Sequence, residues 1–291
     1  MQGAGNPSRG VAQVAAAALL WSSSGLFIKA LTLNALQIAC FRSLLAALTL
    51  LALVKLLGWT APLRPDALAL GCAAAYAGLL ILFVVATKLT TAANAIFLQF
   101  SAPIYLVFLE PLVFKRPVAR RDLTAVVVCL AGMGLFFVGR LEAGNLAGNL
   151  LGMASGVCLA LFSLLLKLKR ERNPDENPIG AIILGNLLVA AVCLPFALPG
   201  FAPSLSQGGI LVFLGVFQIG VAYVLFNAGM RHLTATASVV VGTLEAVLNP
   251  IWVFLGLGER PSPWALLGGA VVLGVVVWYG TTHREGLAEA G

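Results

Sequence analysis

Two stretches decide how this chain is read: "KLTTAANAIFLQFSAPIYLVFLEPLVFKRP" (88–117) and "HLTATASVVVGTLEAVLNPIWVFLGLGERP" (232–261). Each opens on Leu-Thr (89–90, 233–234), carries Pro-Ile inside an apolar run (103–104, 250–251) and closes on Arg-Pro (116–117, 260–261). The outer landmarks share one offset of 144 residues, and the Pro-Ile pair is displaced by three more, close to one helical turn. The chain is therefore read as an internal repeat, with halves over 11–139 and 147–281.

Outside these stretches the composition keeps one character. Of the 291 residues 60% are hydrophobic and 10% charged, with mean hydropathy +0.99, whereas a soluble domain is roughly 25% charged. Apolar runs long enough to cross about 30 Å of hydrocarbon recur along the whole length. Ten spans are expected, over 11–31, 35–55, 66–87, 92–113, 122–139, 147–167, 179–198, 208–228, 234–257 and 262–281. That is an all-α polytopic membrane protein. The first run continues past Trp21 to Phe27 without a small-residue cleavage pattern, so it reads as a retained span and not a signal peptide. The longest polar connection, "KLKRERNPDENP" (167–178), is too short for a soluble domain.

Five spans per half is an odd number, so the second half must enter the membrane in the opposite sense. With the N-terminus inside, 13 of the 18 lysines and arginines fall on cytoplasmic segments. Three (Lys88, Arg140, Arg260) fall on the other side, and Lys29 and Arg42 lie within spans. This positive-inside asymmetry puts both termini in the cytoplasm, with the chain in the inner (plasma) membrane. It also accounts for the net charge of +7 without invoking nucleic acid. The loop after the fourth span holds Lys115, Arg116, Arg120 and Arg121, while the equivalent loop after the ninth holds only Arg260. Inverted repeats mark secondary transporters, with the site near mid-membrane where the repeats meet. The expected architecture is ten transmembrane helices, as two inverted five-helix repeats, around a central cavity.

Glu245 lies about eleven residues, or ~16 Å, into its span. Carboxylates at such depth usually face a wet cavity or a partner on a substrate or proton pathway. The alternative is a structural ion pair or a hydrogen-bonded acid that fixes helix contacts. Asn249 is polar in the same span. Pro103 and Pro250 deprive the carbonyls of Gln99 and Ala246 of their helical donors, so kinks are expected at matching points, whether at a site or as ordinary bends. Trp21, Tyr76, Gln99, Ser101 and Gln218 fall at mid-depth, with Tyr223 and Asn227 nearer the cytoplasm. Core packing is the plain reading for each alone. Together they describe an apolar cavity with a few polar anchors for a small molecule.

Arg42 can snorkel or pair with an acid such as Glu245, a structural role being the plainer reading than substrate contact, and Lys29 snorkels. Glu110 is expected to pair with Lys115 and Arg116 at the interface. Gly144, Gly148, Gly152, Gly156 and Ala160 form a small-residue face for close helix packing. The five cysteines lie within spans at no metal-ligand or redox spacing, and His232 and His283 lie near span ends. No P-loop, GxSxG, HExxH or CxxC occurs, so no enzyme, cofactor, metal or ATPase partner is expected. Transport would be facilitative or ion-coupled. A monomer in the bilayer suffices for this reading.

With ten spans in two repeats, Arg42 in "CFRSLLAAL", and Leu244-Glu245 followed by Gly258-Glu259, the chain resembles the drug/metabolite transporter superfamily, EamA type, over nearly its whole length. Within that group it looks most like the YddG-type exporters of aromatic amino acids. Alanine 246 stands where EamA repeats usually have proline, and Lys115-Arg116 where Gly-Glu is usual. The resemblance implies export of small amphipathic metabolites, aromatic and other apolar amino acids first, by alternating access. Other metabolites or drugs are the alternative cargo, and a membrane scaffold or receptor is the alternative class.

Overall fold

The computed structural model describes residues 7–257, except 62, 64, 116–119, 136–137, 139–145 and 175, together with 263–288. Among the described residues the regular structure is entirely helical. In chain order the helices are α1 (Pro7–Trp21), α2 (Ser24–Ala30), α3 (Ala35–Leu56), α4 (Ala67–Leu89), α5 (Ala92–Gln99), α6 (Ala102–Phe114), α7 (Arg120–Leu135), α8 (Leu146–Arg172) and α9 (Ile179–Ala197). Then α10 (Leu205–Phe213) runs through a π-helical segment (Leu214–Val221) into α11 (Ala222–Gly229), followed by α12 (Ala235–Gly242), α13 (Leu244–Leu257) and α14 (Pro263–Ala288).

Among the described residues seven helical stretches are long and apolar enough to cross a membrane: Pro7–Ala30, Ala35–Leu56, Ala67–Leu89, Asn94–Phe114, Leu146–Arg172, Ile179–Ala197 and Leu205–Gly229. Ala235–Asn249 and Leu266–Trp278 are shorter apolar helices. The outward faces of the long helices carry bare Leu48, Phe108, Leu112, Leu150 and Phe196, as expected of side chains whose solvent is lipid. The core lies where α3 and α4 pack on α8, α9 and the π segment, and where α1 packs on α11 and α12. The small-residue face of α8 works as the spacing predicts. A methyl group on Gly156 would lie 2.8 Å from the Gln99 carbonyl oxygen and 2.9 Å from that of Leu98. Gly144 lies outside the described residues.

Polar side chains decide where helices begin and where they break. Asn34 and Gln37 form a capping box on α3, Asp66 caps α4, and Thr91 and Thr234 cap α5 and α12. At the breaks, hydroxyls bond back to carbonyls three residues earlier: Ser22 to Leu19 (2.6 Å), Ser23 to Leu20 (3.1 Å), Ser101 to Leu98 (2.7 Å) and Thr243 to Val240 (2.6 Å). Such bonds offer a carbonyl an alternative to its helical donor. The two quoted stretches therefore take the same form, an eight-residue, threonine-capped helix followed by a break and a longer helix.

This corrects the proline reading. Pro103 stands at the second position of α6, where no intrahelical donor is needed, and the break precedes it at Phe100–Ser101. In the other stretch the break falls at Thr243, seven residues before Pro250, whose backbone stays within α13. The span expected at 147–167 also runs on to Arg172, which carries Lys167, Lys169 and Arg170 into the end of the bundle.

At that end, Lys167 Nζ donates to the carbonyls of Met230 (3.0 Å) and Leu233 (2.8 Å), and Arg170 donates to the carbonyl and side-chain oxygens of Asn227. Lys169 pairs with Asp66 at 2.9 Å. Among the described residues Glu110 does not pair with Lys115, and Arg116 lies outside them. The Glu110 carboxylate accepts the backbone N–H groups of Ala235 and Thr236, both at 2.9 Å, and the Thr236 hydroxyl, closing the N-terminus of α12. At the opposite end Lys29 reaches the Thr90 carbonyl (2.7 Å) and Lys88 that of Leu31 (2.5 Å). Lys29 thus caps a neighbouring helix end where snorkelling was expected.

Candidate functional site

The interruptions converge. A cavity is lined by Trp21 at the end of α1, Gln99 and Phe100 at the end of α5, and Gln218 and Ile219 on the π segment. Gly242 and Glu245, on either side of the Thr243 break, complete this rim. Irregular backbone at membrane depth is tolerated where it is buried in protein or lines a cavity, and π segments recur at functional sites. The remaining walls include Arg42, Leu80, Phe83, Leu159, Tyr223 and Phe226.

Aromatic rings pack one side of it. Trp21 stacks at a tilt on Tyr223 (4.9 Å between ring centroids) and Phe226 (5.3 Å). Tyr76 meets Tyr223 edge-on at 4.8 Å and Phe162 at 4.8 Å. Each such pair contributes roughly 0.5–1.5 kcal/mol beyond the area it buries, so this wall is stiff. It presents ring faces and edges to whatever enters.

The polar groups are few and separately held. Glu245 is 4% exposed, and its Oε1 accepts the Ser24 hydroxyl at 3.4 Å. Ser24 begins α2, just past the break in the first span. Gln99 Oε1 accepts from Ser155 at 2.9 Å. Gln218 Oε1, Trp21 Nε1 and Arg42 Nε are buried without a protein partner. Arg42 donates to the Leu80 carbonyl at 3.3 Å. It makes no ion pair with Glu245, contrary to that alternative, although both line the same cavity.

Of the residues expected at a site, the cavity thus gathers Trp21, Gln99, Gln218, Tyr223 and Glu245. The others stand behind it or apart. Tyr76 is wholly buried, and its hydroxyl accepts from Asn186 at 3.2 Å, so it supports the aromatic wall from outside. Ser101 serves the helix break. Asn249 donates to the Ser22 carbonyl at 2.9 Å, tying α13 to the break in the first span. Asn227 belongs to the Arg170 network at the bundle end, where it also donates to Asn177 at 2.8 Å. Trp252 donates to the Ser22 hydroxyl at 2.6 Å.

Several participants had little signal in the sequence. Phe83, Phe100, Phe162 and Phe226 are indistinguishable from core phenylalanines until the helices are assembled. The serine run Ser22–Ser24 after Trp21 was a readable sign, three hydroxyls in the middle of an apolar span. Among the described residues no group of three or more His, Cys, Asp or Glu side chains is placed to hold a metal ion.

The profile of the EamA-like transporter family matches residues 8–138 and again residues 146–281. An uncharacterized transporter of Archaeoglobus fulgidus is 28% identical over 283 residues, spanning 92% of this chain and 95% of that protein. A biotin transporter of Salmonella typhimurium is 27% identical over 199 residues, 64% of this chain and 62% of that protein. A solved crystal structure superposes with a TM-score of 0.76 at 18% identity, covering 94% of this chain and 97% of its own, which is a likeness of fold.

Proposed function

The chain belongs to the EamA-like transporter family, and from that premise we propose that it is a secondary transporter exporting small amphipathic metabolites, aromatic and other apolar amino acids first, by alternating access. The observation that carries this reading is the convergence of interrupted helices on one cavity with aromatic walls and a few polar anchors. Discontinuous helices that meet at mid-depth are the usual way for transporters to hold a solute. In this reading ten spans form two inverted repeats, 11–139 and 147–281, with both termini in the cytoplasm. Trp21, Gln99, Gln218, Tyr223 and Glu245 contact the solute, and Tyr76, Ser101, Asn227 and Asn249 hold the walls and gates.

A second reading, that the solute is biotin, draws on the names of the Salmonella relatives. Its fused rings and aliphatic chain suit the same apolar walls. Purified protein in liposomes, assayed for counterflow of labelled tryptophan, phenylalanine and biotin with and without a pH gradient, tests both readings. Exchange of an aromatic amino acid above that of empty liposomes is expected. Exchange of biotin alone would select the second reading, and exchange of none of the three would contradict both.

A further inference from the structure

We infer that the cavity recognises its solute by a carboxylate docked on Arg42, so that the cargo class is monocarboxylates with an apolar or aromatic body. The inference deepens the transporter reading and rests on it for the site's purpose. Its own evidence is the state of Arg42. The side chain is 1% exposed at the eighth of the 22 residues of α3, so its charge does not reach water by snorkelling. A guanidinium carries five N–H donors. Here it donates once, to the Leu80 carbonyl, while its Nε has no partner. Glu245 lies on the same cavity but is not paired with Arg42, and a buried cation without a paired counter-ion is strongly disfavoured. One that lines a cavity in that state is set to receive an anion.

The surroundings select the kind of anion. The planar guanidinium fork matches a carboxylate in a two-point contact. Trp21 Nε1, also without a protein partner, is a second donor on the cavity wall. The π segment is pressed onto α3 beside Arg42, where a methyl group on Gly215 would lie 2.7 Å from the Arg42 carbonyl oxygen. That same segment carries Gln218, whose Oε1 is free to accept an N–H from the solute. Of the lining side chains Arg42 is the cation and Glu245 the acid. A dianion such as phosphate would meet one positive charge and one negative. A monocarboxylate pairs with Arg42 alone and leaves Glu245 to face an ammonium where the solute carries one. The rings of Trp21, Tyr223 and Phe226 take the apolar body.

The test uses the whole protein and paired probes that differ at the carboxyl group alone: indole-3-propionate with indole-3-propionamide, and biotin with biotin amide. Binding to purified wild-type protein is read by thermal stabilisation, and competition is read in tryptophan counterflow. In at least one pair the acid is expected to act at a concentration about tenfold or more below its amide, the size of a lost charge-assisted hydrogen bond. In Arg42→Gln that preference is expected to shrink to about twofold or less. Equal action of acid and amide on wild-type protein in both pairs overturns the inference, whether or not Arg42→Gln folds, and so does stabilisation by neither member of either pair. An undiminished preference in a folded Arg42→Gln also overturns it. Counterflow with no preference for acids leaves transport standing without the inference. Acid-selective stabilisation without any counterflow leaves the inference standing without transport.

Discussion

Glu245 and Arg42 face one cavity without touching, and that separation decides how each can be tested. Among the described residues Glu245 is held by the Ser24 hydroxyl and not by an ion pair. Glu245→Gln keeps the volume and can still accept from Ser24, so the variant should fold and melt near wild type. Its tryptophan counterflow should fall about tenfold or more, the loss expected when a charged hydrogen-bond partner is removed. Normal counterflow together with normal pH-driven transport would make the glutamate structural. The aromatic residues divide in a similar way. Trp21 lines the cavity, and Trp21→Ala should depress counterflow more than it depresses stability. Tyr76 is buried behind Tyr223 and bonded to Asn186. Tyr76→Ala should therefore cost about 3–5 kcal/mol of stability, read as a lowered melting temperature in detergent. A Tyr76→Ala protein that melts like wild type but does not transport would return Tyr76 to the solute's first contacts.

Helix ends and breaks are governed by hydroxyls, amides and close backbone approach, and this is where sequence and structure part. Apolar run length predicted where helices lie, because lipid contact demands about 20 apolar residues whatever the neighbours are. The repeat was legible in Leu89-Thr90 and Leu233-Thr234, and these threonines lie at or next to the caps of α5 and α12. The breaks were assigned to Pro103 and Pro250 because proline removes a donor. The structure places them at Ser101 and Thr243, because a hydroxyl can take a carbonyl out of the ladder at any depth. The π segment left no periodicity to read. Its signal is contact, in Gly215 against α3. Gly156 tests how tightly the α5 break is seated. Gly156→Ala should destabilise by roughly 1–3 kcal/mol through overpacking. Gly274→Ala, with nothing within 4 Å of the added carbon, should not, and equal effects would refute tight seating.

At the bundle end Asp66 offers a test by pH. The Ala69 backbone N–H at 2.7 Å, and after it Lys169, hold its carboxyl below the usual carboxylate range. A group whose folded value is depressed contributes stability above its unfolded value, about 3.9 for aspartate, and loses that contribution as pH falls through the folded value. Asp66→Ala should lower the melting temperature at pH 7 by the equivalent of roughly 1 kcal/mol for the cap. The gap should narrow below about pH 4. A gap that does not change between pH 7 and pH 3 would mean that the carboxylate's charge plays no part.

For the molecule as a whole, charged side chains tie helix ends together at both ends of the bundle. Lys167, Arg170 and Glu110 do so at one end, and Lys29 and Lys88 at the other. Each contact joins a charged side chain to helix-end backbone or a neighbouring polar group. The sequence led to the expectation of a cavity where two inverted repeats would meet, and a cavity is present. It could not foretell the cavity's walls, because Phe162 and Phe226 became neighbours only through the packing of α8 on its partners. Gly242 is the most direct place to ask whether the cavity is the solute pathway. It lines the space, and an added carbon there meets only a ring edge of Phe100 at 3.6 Å. In a cysteine-free background, Gly242→Cys should react with a small membrane-impermeant thiol reagent applied from either face of the membrane. The rate should fall when the transported carboxylate solute is present. Reaction from one face only, or a rate that no transported solute changes, would contradict alternating access through this cavity.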